Sequence, residues 1–450
     1  MGRLFGTDGA RGVAITELTC ETAMNIGRAA AIVLTKHSDH KAKILVGKDT
    51  RISSDVLESA LAAGICSVGA DVEILGVVPT PAVAYLVTKY NADAGVMISA
   101  SHNTVEYNGI KLFSKDGFKL PDAIEEEIEA LILDTPEKME LKDGIEIGRI
   151  HHSNTAVTDY INHIKSTING DLSGVKFGVD CANGSSAETA ERLFTELGAE
   201  CVLINKDYDG TNINDNAGST HIDRLAQFVK DNGLDGGVAF DGDADRCLAV
   251  DENGEIIDGD KMIAILSKSL KSQNKLKKDT AVMTVMTNMG FFDFAKENGI
   301  KVEVTKVGDR YVLEEMLKDD YNIGGEQSGH IIFLDYATTG DGQLSAVQLM
   351  DYYKKSGQKM SELGMLMEQY PQILVNVKVT PEGKKLWKED NDIKTAIADS
   401  ENIMGDTGRV LIRESGTEPL VRVMLEGKDN GLINKEANKI ADLIRERFGR

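Results

Sequence analysis

The sequence predicts an α/β protein: three related α/β domains with mixed sheets, followed by a smaller C-terminal α+β domain. Three observations predict it. At 450 residues the chain is too long for one hydrophobic core, which points to several domains. One strand–loop–helix–glycine–strand plan recurs three times. From residue 369 onward the pattern changes to alternating strands after a proline-flanked stretch.

The first copy of the plan runs from strand Lys43–Gly47 through a helix at about 53–68 to Gly69 and a strand ending at Leu75. The second begins with strand Val175–Asp180, has a loop at Asn183–Ser186 and a helix at about 187–197, and closes with Gly198 and a strand to Ile204. The third joins strand Ala281–Val285, a helix at about 290–298, Gly299 and a strand to Val304. Each glycine stands where a helix C-terminus favours left-handed backbone. A strand–helix–strand crossover implies parallel strands with helices packed on them. The copies are too irregular and too widely spaced for a solenoid.

In the last part, Pro371 and Pro381 enclose the alternating strand Ile373–Val379. A helix at about 391–399, strands Gly408–Arg413 and Leu420–Glu426, and an amphipathic helix at about 433–447 follow. The expected domains are 1–152, 153–253, 254–368 and 369–450.

Composition narrows the function classes. Hydrophobic content of 42% with 27% charged residues is that of a globular protein. No apolar stretch approaches the ~20 residues of a membrane span, and the opening Met1–Gly9 lacks a signal-peptide core. Cys20, Cys66, Cys181, Cys201 and Cys247 are scattered without CxxC spacing, which argues against a disulfide framework or zinc site and for the cytoplasm. The net charge of −22 argues against nucleic acid or an anionic membrane as partner. A phosphate-bearing ligand would need a local basic island.

Five segments carry the chemistry. Ser101 and His102 lie in Ile98-Ser99-Ala100-Ser101-His102-Asn103, directly after the apolar run Ala94–Ile98. Open α/β sheets place their chemistry at such strand ends. Lys111 brings a cation nearby, although the stretch alone also fits an ordinary loop. Asp241-Gly242-Asp243-Ala244-Asp245-Arg246 places three carboxylates at alternate positions between strands, an oxygen cage suited to Mg²⁺ or Ca²⁺. An EF-hand loop is a rival, with Glu252 at its twelfth position. Arg246 stands where that loop needs glycine, and strands rather than helices flank it.

Arg413-Glu414-Ser415-Gly416-Thr417-Glu418-Pro419 with Arg422 offers hydroxyls, a glycine turn and two guanidinium groups. That is a phosphate cradle, and it makes the last domain phosphate-binding; a polar surface hairpin is the alternative. Gly324–His330 carries Glu326, Ser328 and His330, a set suited to sugar hydroxyls and proton transfer. Gly6–Gly12 is a glycine-rich turn bearing Arg11, without Walker spacing.

Taken together, these segments resemble the α-D-phosphohexomutase superfamily over essentially the whole chain. The phosphoserine loop Ser99–Asn103, metal loop Asp241–Arg246, sugar loop Gly325–His330 and phosphate loop Arg413–Pro419 stand in that family's order. The Glu326-Gln327-Ser328-Gly329-His330 form and the opening Phe5–Gly9 look like its bacterial glucosamine branch.

The resemblance implies that Ser101 is a phosphoserine. It implies one Mg²⁺ per chain on Asp241, Asp243 and Asp245, with a phosphate oxygen of Ser101 as further ligand. Glu326 and Ser328 would grip sugar hydroxyls, and Arg413, Ser415, Gly416, Thr417 and Arg422 would hold the non-reacting phosphate. Lys111 and His330 look like the proton-transfer groups, with Arg11 and Arg246 supporting the transferring phosphoryl group. His102 shares the catalytic loop but is not read as the base of Ser101.

The implied activity is that of an isomerase acting on glucosamine 6-phosphate and feeding amino-sugar and cell-wall synthesis. Its intermediate is a bisphosphate, and glucosamine or glucose 1,6-bisphosphate would prime it. The implied partner is a small phosphosugar, with no nucleic acid and no membrane, and a homodimer is left open. A mutase of the same family acting on glucose or mannose phosphates is the nearest alternative. A non-catalytic calcium- or sugar-phosphate-binding protein, and a phosphatase using Asp241, are others. One departure is Thr104, where the family's loop often has proline; the fixed φ is lost but no reacting group is removed.

Overall fold

The computed structural model describes residues 3–6, 8–36, 38–415 and 419–450. They form two compact units, one of residues 1–286 with 298–366 and one of residues 287–297 with 367–450.

The first unit holds three sheets, and each contains the same four-strand arrangement. In the first, the order is Ala10–Val13, Tyr107–Ser114, Ala94–Ile98, Lys43–Lys48, Asp71–Val77, Ile150–His152. In the second it is Ile256–Ile257, Cys247–Asp251, Gly236–Phe240, Lys176–Asp180, Glu200–Ile204. In the third it is Lys301–Thr305, Thr280–Thr284, Ile323–Gly325, Ile331–Phe333. Every copy pairs its first strand in parallel with its second and third. A fourth strand then returns antiparallel to the third. The sheets are mixed, as expected.

The hairpin after the third strand matters most for function. In the first sheet it carries Ser101, and the register places Lys111 opposite Met97 on the returning strand. In the second, Phe240 pairs with Cys247, so residues 241–246 make a tight turn. In the third, Gly325 pairs with Ile331, which leaves Glu326–His330 as the connection.

Apolar side chains explain the strand positions. Ile44, Val46, Val72, Val96 and Ile98 alternate with residues facing the other side of the first sheet and are essentially sealed from solvent. They pack with Ile26, Leu57, Leu61 and Ile65 from helices Cys20–Thr35 and Ile52–Ser67. In the second copy the helix opens as a 3₁₀ turn, Ser185–Glu188, before Ala190–Glu196. Gly184 and the two serines favour local turns over a helix start.

In the second unit, strands Gln372–Lys378, Leu420–Gly427 and Gly408–Glu414 form one antiparallel sheet. Val377, Val421, Val423 and Leu425 pack there with Ile433, Ile440 and Ile444 of helix Asn430–Phe448. Helix Asn391–Met404 runs past its expected end because Ile393, Ala396, Ser400 and Met404 keep one face buried. Residues 287–297 join this unit through Asn288, whose side-chain N–H donates to Tyr370 O at 3.0 Å while its oxygen accepts from Tyr370 N at 2.9 Å. Among the described residues no helix is long and apolar enough to cross a membrane.

Helices Cys20–Thr35 and Ile52–Ser67 approach closely because glycines face each other. A Cβ on Gly64 would lie 2.1 Å from Met24 O, and one on Gly27 would lie 2.5 Å from Leu61 O. Gly64→Ala should therefore destabilise the fold by about 1–3 kcal/mol despite its better helix propensity. Thermal denaturation checks this: Tm should fall, and a rise would mean the crossing is looser than described.

Candidate active site

Ser101 sits just past strand Ala94–Ile98 and is buried, with φ at +54°, a left-handed conformation uncommon for a residue with a side chain. Such a conformation costs about 1–3 kcal/mol and persists only where neighbours enforce it. Arg51 is the main enforcer. Fully buried, its guanidinium donates to Ser101 O at 3.0 Å, Asn103 O at 2.8 Å, Tyr107 O at 3.1 Å, Thr104 O, and Asp49 Oδ2 at 2.8 Å.

Asp49 also accepts from Ser99 Oγ at 2.7 Å, and Ser99 Oγ in turn accepts from Ser101 N at 2.9 Å. From the loop that follows strand Glu200–Ile204, Asn214 donates to both Ser101 O and Asn103 O at 2.9 Å. The loop is clamped from two sides. The sequence reading missed Asp49, Arg51 and Asn214; Asp49 and Arg51 lie just past the first repeat strand, but no motif marks them.

Ser101 Oγ–H donates to Asp241 Oδ2 at 2.6 Å, whereas its distance to His102 Nδ1 is 3.4 Å. The aspartate, not the adjacent histidine, is therefore its close partner. Burial, then Arg246 and Arg11, push the His102 pKa down to about 4, so its ring is neutral at physiological pH.

Asp241, Asp243 and Asp245 are all buried, and one oxygen from each lies within 4.8 Å of the others. Burial and the neighbouring Asp245 and Asp243 raise the Asp241 pKa to about 8. Burial pushes Asp245 the same way, but Lys111 and His330 hold it well below the usual carboxylate range. Asp243 Oδ1 and Asp245 Oδ1 are buried without hydrogen-bond partners. Three converging carboxylates with orphaned oxygens fit a hard divalent cation. The flanking elements are strands, and Glu252 accepts from Ser361 N and Oγ instead of facing the loop, so the EF-hand alternative falls.

The other expected groups converge on these carboxylates. Lys111 Nζ lies 2.8 Å from Asp243 Oδ2, 3.2 Å from Asp8 Oδ2 and 3.6 Å from Asp245 Oδ2. Burial disfavours its charge, yet Asp243, Asp8 and Asp245 together raise its pKa above the ordinary lysine value. Arg246 Nε lies 4.0 Å from Asp241 and 3.9 Å from Asp245. Arg11 pairs with Asp8.

His330 is buried, with Nδ1 3.6 Å from Asp245 Oδ2. Its Nε2 accepts from Gly340 N at 3.1 Å, the bonding of a neutral ring with its proton on Nδ1. Burial opposes protonation, but Asp245 and Asp309 move the pKa up overall. Gly340 lies against the imidazole so closely that a Cβ there would meet the ring at 2.6 Å. In the same loop Glu326 Oε1 accepts from Gly308 N at 3.0 Å, and Ser328 is exposed.

The remaining expected residues belong to the second unit. Arg413 and Arg422 stand directly opposite each other on adjacent strands, an arrangement of like charges that an anion would stabilise. Ser415 is buried and its N–H donates to Leu420 O at 2.9 Å. Gly416 and Thr417 lie outside the described residues.

Profiles of the phosphoglucomutase/phosphomannomutase family match in four consecutive parts. The alpha/beta/alpha domains I, II and III match residues 2–139, 158–254 and 258–370, and the C-terminal domain matches 374–443. The chain is 56% identical over 449 residues to a phosphoglucosamine mutase of Acetivibrio thermocellus, covering 100% of both chains. It is likewise 56% identical over 448 residues to one of Clostridium novyi, covering 99% of both.

Among solved structures, it resembles a phosphoglucomutase/phosphomannomutase family protein from Burkholderia thailandensis, with a TM-score of 0.84 at 24% identity, covering 99% of this chain and 98% of that one. It also resembles the N-acetylphosphoglucosamine mutase of Aspergillus fumigatus in complex with GlcNAc-6P and magnesium, with a TM-score of 0.69 at 17% identity, covering 98% and 95%.

The raised pKa of Asp241 sets a pH dependence. With its pKa near 8, Asp241 carries a proton at neutral pH, and a divalent cation must displace it. Cation affinity should therefore rise as pH increases from about 6 to 8 and then level off, with proton release on binding. Titration calorimetry in buffers of different ionisation heat reads both effects; affinity independent of pH over that range would contradict them.

Proposed function

The chain belongs to the phosphoglucomutase/phosphomannomutase family, and from that membership we propose that it interconverts glucosamine 6-phosphate and glucosamine 1-phosphate through phosphorylated Ser101. It is an isomerase of the intramolecular phosphotransferase type. The observation that carries the proposal is the Ser101 hydroxyl, held in a strained loop and hydrogen-bonded to Asp241 of the carboxylate trio. Full-length identity of 56% to proteins called phosphoglucosamine mutase supports the choice of sugar.

Asp241, Asp243 and Asp245 would hold Mg²⁺, the cation in the Aspergillus complex. When bound there, it neutralises charge on the transferring phosphoryl group. In the first transfer the bond from phosphorus to the Ser101 oxygen breaks and a bond to the sugar O1 forms. In the second, the 6-phosphoryl group of the bisphosphate returns to Ser101. Lys111, held protonated by its three carboxylate neighbours, supplies a donor and a positive charge at the carboxylate trio. His330 exchanges the proton of the reacting sugar oxygen, Arg11 and Arg246 add positive charge, and His102 flanks the phosphoserine.

Glu326 and Ser328 take the sugar hydroxyls. Arg413, Ser415, Gly416, Thr417 and Arg422 are assigned the non-reacting phosphate, as a hairpin with two opposed guanidinium groups suits a dianion. For the four domains we propose the limits 1–152, 153–253, 254–368 and 369–450, with residues 287–297 packing in the unit that holds the last of them.

Purified protein should carry one phosphate on Ser101 by intact and peptide mass spectrometry. Ser101→Ala should lose mutase turnover by at least ~1,000-fold with little change in Tm. Glucosamine 6-phosphate should lead glucose and mannose 6-phosphates in kcat/KM. A Ser101→Ala variant with near wild-type turnover would remove the phosphoserine mechanism, and a different leading sugar would remove the substrate assignment.

A further inference from the structure

Lys111 and His330 are joined by a closed circuit of polar contacts in which the mutase reading leaves Asp8, Lys119 and Asp309 without a role. Lys111 Nζ lies 3.2 Å from Asp8 Oδ2, and the other oxygen of Asp8 accepts from Lys119 Nζ at 2.6 Å. Lys119 also donates to Asp309 Oδ2 at 2.5 Å, and that oxygen lies 3.6 Å from His330 Nε2. The circuit closes through Asp245, which is 3.6 Å from both His330 Nδ1 and Lys111 Nζ. Asp8 comes from the turn before the first strand, Lys119 from the turn after Tyr107–Ser114, and Asp309 from the start of helix Asp309–Asp319.

We propose that Lys119, together with Asp8 and Asp309, is a positioning device that fixes Lys111 and His330 for proton transfer. The assignment rests on the mutase reading. Its physical basis is competition for charge. Asp8 faces three cations, Lys111, Lys119 and Arg11, and Lys111 chooses between Asp8 and Asp243. With Lys119 satisfying Asp8, Lys111 keeps its shorter contact with Asp243, 2.8 Å against 3.2 Å. With Lys119 satisfying Asp309, the histidine is not drawn off Asp245 and its Nε2 still accepts from Gly340 N.

The side chains of Lys119, Asp8 and Asp309 are only 19%, 25% and 21% exposed, so solvent screens these contacts weakly. A lysine without Lys119 beside it would face an Asp8 carrying uncompensated charge, and would shift toward it. The effect falls on placement of the reacting groups rather than on substrate grip. Lys119 donates to Asp8 and Asp309 and acts through these two aspartates.

The test uses the full-length protein with Mg²⁺ and glucosamine 6-phosphate. Lys119→Met should lower kcat by about 30–100-fold while KM stays within about threefold, since positioning losses act on the chemical step. The single-turnover rate of phosphate loss from phosphorylated Ser101, read by mass spectrometry, should fall in parallel. Lys119→Arg, which keeps the charge, should recover most of the rate.

A double-mutant cycle separates this role from a mere staple between segments. In a His330→Gln background, Lys119→Met should cost at least about threefold less than it costs in the wild-type background, because one of the two groups it positions is gone. Should Lys119→Met fail to fold, Lys119→Gln, which keeps a polar side chain between the two aspartates without the charge, carries the same expectations. A kcat within about threefold of wild type for the folded variant, or an equal loss with and without His330, overturns the proposal. Wild-type protein without mutase turnover would instead overturn the functional reading on which it rests.

Discussion

Three buried carboxylates cannot sit within a few ångströms of one another unless positive charge is brought to them, and the architecture of the first unit follows from that requirement. Asp241, Asp243 and Asp245 repel through a poorly screened interior. Lys111 answers from the first sheet and Arg246 from the same loop, and the neutral ring of His330, beside the third sheet, turns its Nδ1 toward Asp245. Lys111 and Arg246 are themselves costly to bury, so the attraction is mutual: the two cations need the aspartates as much as the reverse. In a chain of net charge −22, Lys111 and Arg246 stand where a phosphate substrate would need them, and the three aspartates that still outnumber them would be offset by a bound divalent cation.

The same electrostatics explain why the serine is presented as it is. A hydroxyl with the proposed role of Ser101, accepting and surrendering a phosphoryl group, needs a fixed direction. The left-handed backbone at Ser101 provides it at the cost of strain. Arg51 balances that strain with five directional hydrogen bonds, a task suited to its planar fork. Rigidity here is distributed: the loop's conformation is secured by side chains more than 40 residues away in sequence.

Much of this was legible from the chain alone. Ser101, the aspartate trio, Lys111 and the Glu326–His330 loop stand at strand ends with residue types that announce their chemistry. The strand–helix–strand copies were visible because β-branched runs and helix-ending glycines recur. What stayed hidden depended on long-range contact. The third and fourth strands of the third copy have only three residues each, too little for period-two patterning to register. Arg51, Asn214, Asp8, Lys119 and Asp309 are ordinary polar residues in their local sequence. Their roles come from partners on other elements, which no local pattern encodes. The reach of helix Asn391–Met404 was shortened in the same way, since Ser400 has low helix propensity but is buried by tertiary packing.

The repeated topology gives these contacts their logic. In all three sheets the functional loop is the hairpin between the third strand and the antiparallel fourth, the point at which parallel pairing ends. One copy supplies a nucleophilic hydroxyl there, the second a cage of carboxylates, the third a carboxylate, a hydroxyl and an imidazole. None of the three carries a complete reaction centre. Lys111 belongs to the first copy yet pairs with Asp243 of the second, and His330 of the third faces Asp245 of the second. The second copy's aspartates are therefore the meeting point, and the site exists only when the three sheets are assembled. Because charge pairs across sheets both hold that assembly and place the reacting groups, a substitution among them alters the reaction before it abolishes the fold.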